Sequence, residues 1–173
     1  GVAGGLYNPD SSRTPEVIPA SDREMDGYIR YPIYCNDHVC RGWEYRAVDK
    51  TRMPKATRNV DSDWVALHFP RRVLDHAVPL LLEDRASAEK LSPLYPTVAL
   101  LGTLINQQKV DYLLQNNIKR VALALDEDAI SKALRYKMDW HIIDKVFLLE
   151  RDVKDMPTIK LIEFSNELRR VCE

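Results

Sequence analysis

The sequence predicts an α/β protein: a parallel sheet flanked by helices, preceded by a small antiparallel, β-rich, basic unit. Two observations point to the parallel sheet. From Val78 onward, short apolar runs alternate with segments of helical periodicity, the pattern of parallel strands joined by crossover helices. Within that half, Val121-Ala122-Leu123-Ala124-Leu125 is a continuous apolar run, as in a strand buried on both faces, and it leads straight into Asp126-Glu127-Asp128. A third observation points to the antiparallel unit. Tyr28–Tyr34 is rich in aromatic and β-branched residues, Asn36-Asp37 supplies a turn, and residues 39–48 return as an alternating strand.

Composition bounds what the chain does. Its 173 residues suit one ordinary domain, or a small one with an appendage, and 45% hydrophobic with 29% charged residues is the balance of a globular protein. No apolar run approaches the length of a membrane span, and the residues from Gly1 onward do not form a signal peptide. A net charge of −1 excludes a chain-wide field for polyanions. The distribution says more: Arg41, Arg46, Lys50, Arg52, Lys55 and Arg58 stand against only Glu44 and Asp49. The three cysteines, Cys35, Cys40 and Cys172, are too few and odd in number for a disulfide framework, and fit a reducing cytoplasm. Cys35, His38 and Cys40 admit a zinc reading, but a structural site needs a second ligand pair that the sequence does not offer. A hairpin carrying free thiols is the better account.

Three segments follow in order. Residues 1–27 read as a leader or linker, broken by Gly4-Gly5, Pro9, Pro15 and Pro19, and the absence of an initial methionine suits a piece of a longer protein. Residues 28–77 form the basic β unit. Trp43, Tyr45 and Ala47 alternate with Glu44 and Arg46, predicting one packed and one solvated face, and residues 51–59 read as a basic loop around Pro54. Residues 78–173 carry strands over 78–82, 97–101, 121–125 and 145–149, and helices over 85–91, 106–115, 129–140 and 158–171.

In this arrangement acidic residues follow strand after strand: Glu83 the first, Asp126 and Asp128 the third, Asp152 and Asp155 the fourth. The carboxyl ends of parallel strands are where open α/β sheets hold their ligands. Closely spaced carboxylates repel one another unless a cation lies between them, and oxygen-only donors suit Mg²⁺ or Mn²⁺ rather than zinc. Each acid also has a plainer reading, such as Asp126 capping the helix that follows. Gly102-Thr103, after the second strand, offers a turn where backbone approaches a ligand closely, or an ordinary strand-to-helix turn.

These residues resemble the Toprim domain, the catalytic module of topoisomerases, bacterial and phage primases and some nucleases. The Toprim glutamate after the first strand matches Glu83, and the DxD pair after the third matches Asp126-Glu127-Asp128. The Gly-Thr that primases carry between them matches Leu101-Gly102-Thr103, followed by Asn106-Gln107-Gln108, and the later "KDP"-like acid matches Lys154-Asp155-Met156-Pro157. Upstream, Arg30-Tyr31-Pro32-Ile33, Gly42-Trp43-Glu44-Tyr45-Arg46 and Pro54-Lys55-Ala56-Thr57-Arg58-Asn59 resemble the small subdomain that precedes Toprim in bacterial-type primases.

The resemblance implies a divergent primase catalytic core that makes short RNA primers on a single-stranded DNA template from ribonucleoside triphosphates. It implies Mg²⁺ or Mn²⁺ held by Glu83, Asp126, Asp128 and Asp155, with Glu83 acting as general base or further ligand. Nucleotide and template would lie against Arg30, Arg46, Lys55, Arg58, Gly102 and Thr103. A replicative helicase or a separate template-reading domain would be the partner, and no membrane is involved. Departures from the family pattern are Asp84 for the glycine after Glu83, Ser87 for the acid four residues on, and Glu127-Asp128-Ala129-Ile130-Ser131 for the usual small residues, a divergence like that of phage or mobile-element primases. A Toprim-type nuclease, or a degenerate module that only binds nucleic acid or replication partners, stand as alternatives.

Overall fold

The computed structural model describes residues 27–173. The leader reading for the preceding residues lies outside the described part. Two sheets are present among the described residues. β1 (Tyr28–Tyr34), β2 (Cys40–Ala47) and β3 (Ala56–Val60) make an antiparallel sheet in the order β1-β2-β3. β4 (Leu80–Leu82), β5 (Thr97–Ala99), β6 (Val121–Asp126) and β7 (Ile143–Leu149) make a parallel sheet in the order β5-β4-β6-β7. Helices α1 (Arg85–Leu91), α2 (Gln107–Gln115), α3 (Ile130–Asp139) and α4 (Thr158–Cys172) flank it. The α/β class, the Toprim-like parallel sheet and the small antiparallel sheet ahead of it are as the sequence predicts.

The parallel sheet explains the apolar runs. Along β6, Ala122 and Ala124 face one core with Leu80, Leu82, Leu91, Phe164 and Leu168, so this layer is shared with α1 and α4. Val121, Leu123 and Leu125 face the other, with Leu81, Val98, Val110, Leu113 and Ala133, shared with α2 and α3. Successive side chains point to opposite faces, so a strand covered on both sides must be apolar throughout. Each fully buried leucine contributes about 1.5–3 kcal/mol relative to exposure.

The small sheet packs on the first of these layers. Ile33 is fully buried in it and Val60 lies against it. The sheets are also joined by polar contacts. The His68 imidazole accepts from the Tyr34 amide through Nδ1 at 3.0 Å, and its Nε2 lies 2.8 Å from Glu89 Oε1 of α1. His68 and Ala99 also exchange backbone hydrogen bonds, which extends the contact to β5.

Two expectations for the small unit are corrected. The second half of the predicted basic loop, residues 56–60, is strand β3, paired with β2 from Arg46↔Ala56 to Gly42↔Val60. Residues 56–59 are all exposed, so no apolar alternation marks this strand, and main-chain pairing carries it. Glu44 is buried rather than solvated, because α1 brings Arg85 to it. Gly42 is required where β2 meets β3: at φ +152° a Cβ there would collide with the Asn59 carbonyl oxygen and Val60 Cα.

Candidate metal and phosphate site

The acids gather at the carboxyl end of the parallel sheet. Glu83 and Asp84 follow β4, Asp126 ends β6, and Asp152 follows β7. Glu83, Asp84, Asp126 and Asp152 line a cleft of about 20 Å³, together with Ser87. That is room for one water molecule or one small cation. A neighbouring open cavity of about 360 Å³ is lined by Asp126, Asp128, Asp152 and Asp155. Asp126 belongs to both, and its side chain makes no capping bond to the helical turn that follows, so the capping reading fails.

Electrostatics within the cleft follow from this crowding. Burial pushes the Glu83 carboxyl above its ordinary value, and the charges of Asp126, Asp152 and Asp84 push it further, while Lys132 acts in the opposite direction. Asp152 is raised by burial first and then by Asp126, with Lys154 acting against the shift. As the side chains stand, no three Asp, Glu, His or Cys residues among those described form a group that could hold a metal ion. The donor set still fits a hard divalent cation: every donor is a carboxylate oxygen, the cleft has the volume of one ion, and the like charges repel.

Local structure holds these residues in place. The Gly102 amide donates to the Glu83 carbonyl at 2.9 Å, tying the β5–α2 turn to the acid-bearing strand end. Gly102 has φ +140° and its missing Cβ would meet nothing within 4 Å, so the backbone conformation, not crowding, calls for glycine. Thr103 is gripped by α3: Lys132 donates to its hydroxyl at 2.9 Å and the Tyr136 hydroxyl to its carbonyl at 2.7 Å. Beneath the turn, buried Lys109 donates to the Leu100 and Leu104 carbonyls, each at 2.8 Å. Burial, then the charge of Arg58, lowers its pKa to about 8.

The two departures at α1 have structural roles. Asp84 is the N-cap and accepts from the Ser87 amide at 2.9 Å. The Ser87 hydroxyl accepts from the Lys154 amide at 3.1 Å, while Lys90 donates to the Lys154 and Met156 carbonyls. Helix α1 thereby fastens the segment that carries Asp152 and Asp155.

The register of the small sheet sorts the predicted basic residues. Directly opposed residues share a face, so Tyr31, Glu44 and Arg58 lie side by side, and Arg46 lies two residues from Glu44 on the same face. This is the face that carries Ile33 and Val60 onto the parallel sheet. Arg30 is on the opposite face, its guanidinium 4.1 Å from the Trp43 ring centroid, and so is not grouped with Arg46. Lys55 is exposed in the turn ahead of β3, and its carbonyl accepts from the Ala47 amide at 2.9 Å. Cys35 is buried and Cys40 exposed, both as free thiols.

Sequence reasoning missed two participants. Asp152, noted only as one of two acids after the fourth strand, is the one that shares the inner cleft with Glu83 and Asp126. The signal was its position three residues past Leu149, the residue paired with Asp126. Lys132, four residues after Asp128, is a cation within electrostatic reach of Glu83, and a charged helix residue in a sequence gives no sign of that.

No family model matches the chain, and no curated protein matches it in sequence. Solved structures do match. The zinc-binding and RNA polymerase domains of the Aquifex aeolicus primase align with a TM-score of 0.60 at 20% identity, over 83% of this chain and 39% of that one. The catalytic domain of DnaG primase bound to single-stranded DNA aligns with a TM-score of 0.61 at 17% identity, over 82% of this chain and 51% of that one. The E. coli primase catalytic core gives 0.61 and 17%, over 82% and 52%. The chain thus spans about half or less of the length of these structures. Among the described residues no helix is long and apolar enough to cross a membrane. The chain has the fold of the primase catalytic core.

Proposed function

We propose that this chain is a primase-type catalytic core that joins ribonucleotides on a single-stranded DNA template by metal-dependent nucleotidyl transfer. The observation that carries the reading is the pairing of Glu83, Asp126 and Asp152 in one ion-sized cleft with a sheet face that presents Arg46 and Arg58, on a fold shared with primase cores. The reading assigns residues 28–77 to binding nucleotide and template and residues 78–173 to the chemistry. A replicative helicase, or a separate template-reading domain, completes the machinery.

Glu83, Asp126 and Asp152 would hold a divalent ion in the cleft, with Asp128 and Asp155 around the adjoining cavity. A bound Mg²⁺ or Mn²⁺ would supply charge stabilisation for the attacking and leaving oxygens of an in-line displacement. Arg46, Arg58 and Lys55 bind phosphate oxygens by charge-assisted hydrogen bonds. The Gly102-Thr103 turn, held by Lys132, Tyr136 and Lys109, shapes the far side of the site. Glu83 would serve either as a further ligand to that ion or as the acceptor of the 3′-hydroxyl proton, and a cation beside it would favour the ligand role by lowering its basicity.

The test is labelled single-stranded DNA with four ribonucleotides and Mg²⁺ or Mn²⁺, beside Asp126→Asn. Short ribonucleotide products that vanish in the variant support the proposal. Shortened DNA instead moves the assignment to a nuclease using the same acids. A second reading, a module that binds nucleic acid without catalysis, is favoured by one observation: among the described residues no three ligand side chains converge as they stand. Absence of divalent binding by calorimetry, with DNA binding retained, would establish it.

A further inference from the structure

An acid sits in the middle of the face assigned to phosphate. Glu44 is buried on β2, with Arg58 directly opposite it on β3. Its Oε2 lies 3.6 Å from Arg46 Nη1 and accepts from Arg85 Nε at 2.8 Å. Arg85 is 2% exposed, its Cζ stands 4.1 Å from the Tyr31 ring centroid, and its Nη1 has no hydrogen-bond partner among the described residues. As a stability device this is poor, because a buried ion pair barely offsets its desolvation and an unpartnered nitrogen adds to the cost. As an electrostatic device it is specific. One carboxylate oxygen is shared between Arg85, a buried arginine that no solute reaches, and Arg46, a half-exposed one that a phosphate can reach.

We propose that Arg85 is a positioning residue of the phosphate-binding face: it engages the Glu44 carboxylate and so leaves the Arg46 guanidinium available to a phosphate group. The phosphate belongs to the template backbone or to the incoming ribonucleoside triphosphate, and the proposal rests on the primase-type reading for that ligand. Without Arg85, the Glu44 carboxylate turns to Arg46 and cancels its charge.

The test is equilibrium binding by the full chain, in Mg²⁺ at low salt, to a fluorescent single-stranded oligonucleotide and separately to ATP. Arg85→Met is expected to weaken binding about tenfold by masking Arg46, whereas Glu44→Gln is expected to bind as well as wild type or about threefold tighter. The double substitution Glu44→Gln with Arg85→Met should return to within about threefold of wild type, because no carboxylate remains to mask Arg46. Loss with the oligonucleotide alone identifies the template backbone; loss with ATP alone identifies the incoming nucleotide; loss with both identifies a shared phosphate position. Unchanged binding by Arg85→Met, or a double variant as weak as the single one, overturns the inference and leaves the primase reading standing. If Arg85→Met does not fold, Glu44→Gln decides, and weaker binding there overturns it. A wild-type chain that binds neither probe removes the primase reading and this inference together.

Discussion

Asp126, at the end of β6, and Asp152, just beyond β7, lie so close across adjacent strand ends that the Asp126 charge adds to burial in raising the Asp152 carboxyl above its ordinary value, with Glu83 as the third acid in the cleft. The folded chain therefore holds protons on Glu83 and Asp152 at pH values where the unfolded chain has released them. Stability of the metal-free protein should fall as the pH rises from the ordinary carboxylate values of 3.8 and 4.5 through the raised folded values. Thermal unfolding in chelator checks this, and Asp152→Asn should raise the melting temperature at neutral pH, by an amount that solvent screening of this half-exposed group keeps small. Added Mg²⁺ or Mn²⁺ should stabilise the wild type more at pH 8 than at pH 5. A flat pH response in chelator would contradict the crowding of these acids.

The two faces of the small sheet predict different outcomes for two arginines. Arg46→Ala should weaken binding to single-stranded DNA and lower the salt slope by about 0.7, the share of one phosphate contact on a single strand. Arg30→Ala should leave the slope unchanged, since its guanidinium lies over Trp43 on the other face. Fluorescence titrations at several salt concentrations separate them. Equal effects would mean that both faces meet the nucleic acid.

Lys109 supports the Gly102 turn from below. Lys109→Met keeps the buried stem but strips the donor from the Leu100 and Leu104 carbonyls, and should cost about 1–3 kcal/mol. Its lowered pKa has a sign. The unfolded chain keeps this proton up to about 10.5 and the folded chain only to about 8, so wild-type stability should gain relative to Lys109→Met as the pH rises from 8 toward 10.5. Denaturant unfolding of both proteins across that range gives the comparison, and a parallel pH response would refute the burial of the charge.

The His68–Glu89 contact locks the small sheet to α1. The Tyr34 amide donates to Nδ1, so the imidazole proton is on Nε2 and donates to Glu89, with both side chains fully buried. His68→Leu removes the Nε2 donor from that buried carboxylate and should cost about 1–3 kcal/mol, whereas His68→Leu with Glu89→Leu should be the milder change. Melting temperatures of the two variants decide it. A double variant less stable than His68→Leu alone would show that packing, not the polar pair, joins the two sheets.

Much of the parallel sheet was legible because its physics is local. Apolar runs such as Val121-Ala122-Leu123-Ala124-Leu125, short and bounded by charged residues, suit a strand covered on both faces. Helix α1 begins after an Asp that can cap it, and it spans Arg85–Leu91 as the periodicity predicts. β3 was not legible. Its residues alternate nothing, and only pairing to β2 makes them a strand.

By itself, then, the sequence determined the alternation of parallel strands and helices after residue 78, the antiparallel hairpin of β1 and β2, and the placement of an acid after three of the four parallel strands. These follow from side-chain periodicity and from the chain direction within a parallel sheet. Only tertiary structure decided which acids share a cleft, because Asp152 rather than Asp155 meets Glu83 through the way β7 lies beside β6. It also decided that Arg30 and Arg46 face opposite ways, and that Glu44 is buried against Arg85, 41 residues further along the chain. Burial and charge pairing between residues so far apart are properties of packing, and no local pattern encodes them.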